Sequence, residues 1–292
     1  MSAAAAIPAP RRRERTKGRA FRWLLLSTIV VSGALLVTLL ADVAIDGTTS
    51  LSWDFLTSAP SFDPRIAGLY PALMGTVWLM GGCVLFIVPV GVATAVYLEE
   101  YADARRWWNR LIEINVQNLA AVPSIVYGIL GLAFIVRGPL SLGPVVLAGS
   151  LTLGLLVLPV VIITAREAIR AVPPSIREGS LALGATQWQT IWRQVLPSSV
   201  PGIATGVILA LSRAIGETAP LIVIGAAGYV AFAPSGPDSA FTAVPMQIYL
   251  WISESRTGFA ELAAAGILVL MAVLLLMNGV AIWLRNKYEG KW

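Results

Sequence analysis

Hydrophobic and polar positions alternate along this chain in long blocks rather than at the short period of a soluble domain. Apolar runs cover residues 23–45, about 69–98, about 116–136, about 144–165, a stretch from near Ser198 to beyond Pro220, and 259–284. A helix needs about 20 mostly apolar residues to cross a bilayer's hydrocarbon core. The pattern therefore predicts an all-α, polytopic membrane protein with six transmembrane helices. Prolines interrupt several runs: Pro89 lies in the second, Pro123 in the third and Pro220 in the fifth. The first run reads as an uncleaved signal anchor, because the apolar core of a cleaved signal peptide is shorter. Residues 1–22, Ala/Pro-rich and then basic, read as a disordered tail. Between runs lie a polar outer segment (46–68), an amphipathic charged connection (99–115), a short turn (137–143) and a Pro/Gly-rich segment (229–258).

The polar stretch 170–197, RAVPPSIREGSLALGATQWQTIWRQVLP, is written as structure and not as a loose loop. Pro173 and Pro174 suit the opening of a helix, where a missing N–H costs nothing. Gly184 suits a C-terminal cap, which favours a left-handed residue. Thr186 and Gln189 have capping-box spacing for a second helix. Trp188, Ile191, Trp192 and Val195 recur at i, i+3, i+4 and i+7, an apolar stripe on that helix, which Pro197 is expected to end. A helix–turn–helix with an aromatic face, hung between membrane spans, predicts a docking element.

Composition agrees with the membrane reading: 57% hydrophobic and 13% charged residues, with a mean hydropathy of +0.77. The net charge of +5 then bears on topology rather than on nucleic acid. With the N-terminus inside, inner segments hold seventeen Lys and Arg, while outer segments hold three: Arg65, Arg137 and Arg256. That asymmetry puts both termini and the 170–197 stretch in the cytoplasm. With no histidine and the single cysteine Cys83, a Cys/His metal site and His-based acid–base chemistry are excluded. The only lysines are Lys17, Lys287 and Lys291, so no Walker-type nucleotide loop is present. Trp107, Trp108, Trp251 and Trp283 stand near expected membrane boundaries and read as an aromatic belt.

The remaining cation, Arg213, falls inside the fifth run with Glu217 four residues on. A charge at the centre of a span costs about 2.5–3.5 kcal/mol on insertion scales. The i, i+4 spacing brings the two within reach on one helical face, and Pro220 removes a helical hydrogen bond, so a bend is expected there. A structural ion pair and an ionisable pair lining a solute pathway are both open. A guanidinium on a pathway suits an anion with several oxygens, phosphate among them. Having no energy source of its own, a transporter of this kind is passive, ion-coupled, or driven by a separate subunit. The docking-like helix pair favours the last.

These residues bring a resemblance into view. Glu178, Gly184, Leu196 and Pro197 stand at the spacing of the EAA loop of ABC importer permeases, with Gly179 and Ser180 in the two usual alanine positions and Gln194 in the Ile position. SRAIGETAPL (212–221), NLAAVPSIVYGILGLAF (118–134), YPALMGT (70–76) and YLEEYA (97–102) resemble the PstA-type permeases of phosphate importers. The resemblance implies a type I importer core over 69–284, with Arg213 and Glu217 on the substrate pathway. It implies a coupling helix from Thr186 to Val195, and contact with the ATPase through Glu178, Gly184, Trp188, Ile191, Trp192, Leu196 and Pro197. The implied partners are a PstC-type permease, a PstB-type ATPase dimer carrying ATP and Mg²⁺, and a PstS-type phosphate-binding protein. No cofactor is expected on this chain. Permeases for sulfate or molybdate share the EAA loop, and an ion-coupled carrier is the alternative of a different class.

Overall fold

The architecture follows from which helices are apolar all round and which present only one packed stripe. The structure is a computed structural model and describes residues 12–103, 105–226 and 228–288. Among the described residues, five helices are long and apolar enough to cross a membrane, and a bent helix pair brings the number to six where it counts as one span. Helix α1 (Arg12–Ser50) packs along α12 (Phe259–Tyr288) at the edge, with Gly47 close against the Ala264 backbone. The apolar stretch of α1 is 0% buried, whereas that of α6 (Val146–Arg170) is 67% buried. The protein is thus built around α6, with α3 (Tyr70–Val96) and α9 (Leu196–Ile215) against its sides.

Small residues allow that close packing, as is usual where lipid removes the hydrophobic force between helices. Gly91 of α3 meets the Val161 side chain, Gly206 of α9 meets Thr164, and the Ser150 hydroxyl donates to the Leu79 carbonyl at 3.1 Å. The first N–H groups of α6 are satisfied by the outer loop, Val146 donating to Ser239 O and Leu147 to Pro237 O. At the opposite end from the 170–197 stretch, short α2 (Trp53–Thr57) packs Phe55 beside Trp251, with ring centroids 5.8 Å apart. Phe62 and Tyr229 stack at 4.9 Å, and Arg256 donates to the Phe62 carbonyl.

Several expectations change. Helix α1 begins at Arg12, inside the segment expected to be a disordered tail, and ends at Ser50, inside the expected outer segment. Arg, Lys and Glu are good helix formers, and adding turns to an existing helix is far easier than nucleating one. Residues 1–11 and 289–292 lie outside the described residues. The third span starts earlier than expected, as α4 (Trp107–Ala120), within the supposed connection. It breaks at Ala121–Pro123 and turns by 107° into a helix over Ser124–Val136. Pro123 is extended (φ −56, ψ 137), and a proline steers the residue before it away from the helical region. Segment 229–258 contains a buried helix, α11 (Val244–Ser253), too short to span. Trp251 lies on it at 3% exposure, so it is a core residue and not part of an aromatic belt.

Three helices close or continue through a π turn, in which an N–H reaches back five residues: Ala102 to Tyr97 O, Arg137 to Leu132 O and Leu196 to Ile191 O. The last of these lies just before Pro197. The hydrogen-bond ladder shifts register there, and the helix passes through the proline instead of stopping at it. Residues Gln187–Ile215 therefore form one helix of 29 residues, where two had been expected.

Candidate functional site

Two places gather the polar residues that a membrane protein would not retain without use. The first lies where two broken helices meet. Helix α9 ends at Ile215, Gly216 caps it, and the chain restarts as α10 (Ala219–Val223) with Pro220 near its start. The break thus precedes Pro220 by several residues, and Gly216 caps the helix in a right-handed conformation (φ −80) rather than a left-handed one. Helix α10 packs on α5 (Ser124–Leu130), the outgoing limb of the bent third span. A Cβ on Gly128 would stand 2.7 Å from Pro220 Cα and 3.0 Å from Val223 Cβ. The segments around Pro123 and Pro220, 97 positions apart in sequence, are therefore one structural unit.

Arg213 occupies the last turn of α9, where the helix dipole favours a cation. Its Nε lies 3.7 Å from Glu217 Oε1, with side-chain exposures of 54% and 19%. This is a loose contact, well beyond hydrogen-bonding distance. The guanidinium keeps most of its donors uncommitted to Glu217. Leu209, one turn earlier on the same stripe, is also exposed, as are Ile125 and Ile129 on α5.

The close approach at Gly128 gives a direct test. Gly128→Ala is expected to destabilise by about 1–3 kcal/mol, the usual cost of overpacking. The purified protein's unfolding midpoint reads this, with Gly81→Ala as the control, since a Cβ there meets nothing within 4 Å.

The second place is the end of the bundle that carries the 170–197 stretch. Helix α7 (Pro174–Ala182) begins with Pro174 in its first turn and ends before Gly184, which has φ +84. Thr186 caps α8 (Gln187–Thr190) through a capping box with Gln189. Glu178 is exposed and, among the described residues, makes no hydrogen bond or ion pair. Trp188 and Trp192 are exposed with ring centroids 5.2 Å apart. Ile191 and Val195 are fully buried, so the expected stripe is divided: two tryptophans face out and two aliphatic residues face the core. Leu196 is partly buried and Pro197 exposed, within the continuous helix. The expected separate coupling helix from Thr186 to Val195 is the N-terminal part of the helix Gln187–Ile215; the free-standing helix is α7.

A polar network that sequence reasoning missed joins these parts. Arg166 Nε donates to Glu99 Oε1 at 2.7 Å and Arg166 Nη2 to Glu113 Oε1 at 3.0 Å. Arg170 Nη2 reaches Glu99 at 2.7 Å, and Arg177 reaches Glu100 at 2.8 Å. Glu99 and Glu100 sit on the π turn that closes α3, and Glu113 sits on α4. Two adjacent acids in YLEEYA were visible in the sequence, but nothing local shows partners 67 to 77 positions away.

Comparison with known proteins gives this geometry a family. The model for binding-protein-dependent transport system inner membrane components matches residues 87–289, more than half of the chain. The chain belongs to this family. This permease is 30% identical over 266 residues to the probable ABC transporter permease protein YqgI of Bacillus subtilis (strain 168), covering 87% of the chain and 90% of that protein. It is 36% identical over 211 residues to the phosphate transport system permease protein PstA 1 of Mycobacterium tuberculosis (strain ATCC 25618 / H37Rv), covering 70% and 66%. Among solved structures, the permease aligns to a bacterial alginate ABC transporter with a TM-score of 0.66 at 17% identity, over 94% of this chain and 96% of that one. An inward-facing MetNI methionine transporter aligns with a TM-score of 0.58 at 18% identity, over 76% and 94%. The fold is that of a type I ABC importer permease, and the chain is an integral membrane protein. Membership implies an ATPase and a substrate-binding protein as partners.

Proposed function

We propose that this permease is one of two translocation subunits through which an ATP-driven importer carries inorganic phosphate across the cell membrane. The observation that carries the reading is Arg213: a cation in the last turn of a span, 54% exposed and only loosely paired, where two helices break. Irregular backbone within a membrane is tolerated where it lines a cavity or is buried in protein, and a guanidinium fork suits a tetrahedral oxyanion. PstA-named relatives from several bacteria support phosphate over other anions.

In this reading a PstS-type protein delivers phosphate on the outside, and a PstC-type permease completes the pathway. A PstB-type ATPase dimer docks against Glu178, Gly184 and the tryptophan pair. ATP and Mg²⁺ belong to that dimer, and this chain binds no cofactor. The excess of Lys and Arg on the inner segments supports two cytoplasmic termini. ATP binding closes the dimer, moves the inner end of the bundle and opens the pathway outward; hydrolysis resets it.

The test is uptake of labelled phosphate by vesicles containing the whole complex, with unlabelled competitors. Arsenate, which matches phosphate in shape and charge, is expected to compete, and sulfate is expected not to. Sulfate or molybdate uptake without phosphate uptake makes the chain a permease for those anions. Uptake without ATP refutes the ATP-driven reading.

A further inference from the structure

Helix α7 has no fully buried residue, and only Ile176 among its apolar side chains packs, partly buried, against the core. Most of its polar side-chain contacts converge on Arg177. Its Nη1 donates to Val172 O at 2.6 Å and its Nη2 to Ile169 O at 2.8 Å. Its Nε and Nη2 donate to Glu100 Oε1 at 3.1 and 2.8 Å. One guanidinium therefore holds three elements: α7, the inner end of α6, and the π turn closing α3. The Ile169 carbonyl already accepts the Val172 N–H at 3.3 Å, and Arg177 adds a second, charged donor at this helix end, where carbonyls lack intrahelical partners.

The pair is shielded, with side-chain exposures of 24% for Arg177 and 10% for Glu100, unlike the open surface pairs that contribute little. Beyond the Gly184 turn, Gln187 Nε2 donates to the Glu100 carbonyl at 2.6 Å, so the same residue is held from both limbs of the loop. The other side-chain hydrogen bond of α7 among the described residues joins the Ser180 and Thr190 hydroxyls at 2.8 Å.

We infer that Arg177 is a positioning residue that makes α7 and the inner ends of the second and fourth spans move as one body. A push on α7 then reaches the second span through Glu100 directly, and not only along the chain into its neighbours. The inference rests on the proposed function for the ATPase that does the pushing.

Spin labels on Ala93→Cys and Ala182→Cys, both exposed positions, measure the distance between α3 and α7 in the assembled complex. It is recorded nucleotide-free and trapped with ATP and vanadate. With Arg177 intact, one distance is expected in both states. In Arg177→Ala, and to a lesser degree in Glu100→Gln, the distance is expected to differ between states. Phosphate taken up per ATP hydrolysed is expected to fall about tenfold in Arg177→Ala, within the usual range of coupling between sites, while the ATPase subunit still co-purifies. Arg177→Lys, which keeps the charge but not the fork, is expected to fall between. A distance that changes with Arg177 intact, or stays constant in Arg177→Ala, overturns the inference. If the unaltered complex takes up no phosphate, the transport reading fails while the label distances still judge Arg177.

Discussion

Arg213→Ala is expected to lower ATP-driven phosphate uptake by roughly 100-fold while the permease still assembles. The size follows from losing about two charge-assisted hydrogen bonds to a desolvated anion, together on the order of 3 kcal/mol. Assembly should survive because the side chain is 54% exposed and its ion pair to Glu217 is long at 3.7 Å. Arg213→Lys keeps the charge and loses the planar fork, so part of the uptake should remain. Glu217→Gln separates the two roles left open by the sequence. A structural partner of Arg213 would lower the unfolding midpoint when neutralised, whereas a gate that yields to the anion would change uptake at constant stability. Near-normal uptake by Arg213→Ala removes the pathway role altogether.

Trp192→Glu is expected to separate the permease from its ATPase without unfolding it. Trp188 and Trp192 form an exposed aromatic pair beside a free-standing helix, and buried tryptophans at interfaces commonly contribute about 2 kcal/mol or more to binding. A carboxylate there should therefore reduce ATPase recovery on purification by at least about tenfold. Ile191→Glu, one residue earlier, is the contrast. Ile191 is 1% exposed, so a charge at that position enters the core and should prevent folding. Wild-type recovery of the ATPase with Trp192→Glu would refute the docking face.

Local signals in the sequence were read well. Gly184 takes the left-handed conformation of a C-terminal cap, and Thr186 with Gln189 closes a capping box, because each depends only on residues a few positions away. The apolar spans were legible for a similar reason, since bilayer thickness fixes a length that any apolar run must meet. What failed was whatever tertiary packing decides. The stripe at Trp188, Ile191, Trp192 and Val195 has helical spacing, yet periodicity cannot say which part of a face is covered. The π turn at Ile191–Val195 further shifts the register. Helix α11 is shorter than a span and follows a Pro/Gly-rich stretch, so its apolar residues read as loop in the sequence, whereas in the fold they pack between α3 and α12. At the candidate site, Arg213 and Glu217 stood out because charge is rare in spans. Glu99, Glu100, Arg166 and Arg177 did not, because charges at the ends of spans are ordinary and their pairing is long-range.

The uninterrupted helix Gln187–Ile215 has a mechanical consequence. Trp192 and Arg213 sit on it 21 residues apart, a separation of about 32 Å at the α-helical rise. Acting as a lever pivoted near the tryptophans, such a rod would need to tilt by only about 5° to carry the guanidinium roughly 3 Å, the length of one hydrogen bond. A movement of the fifth span too small to disturb its packing could thus decide whether Arg213 touches its anion.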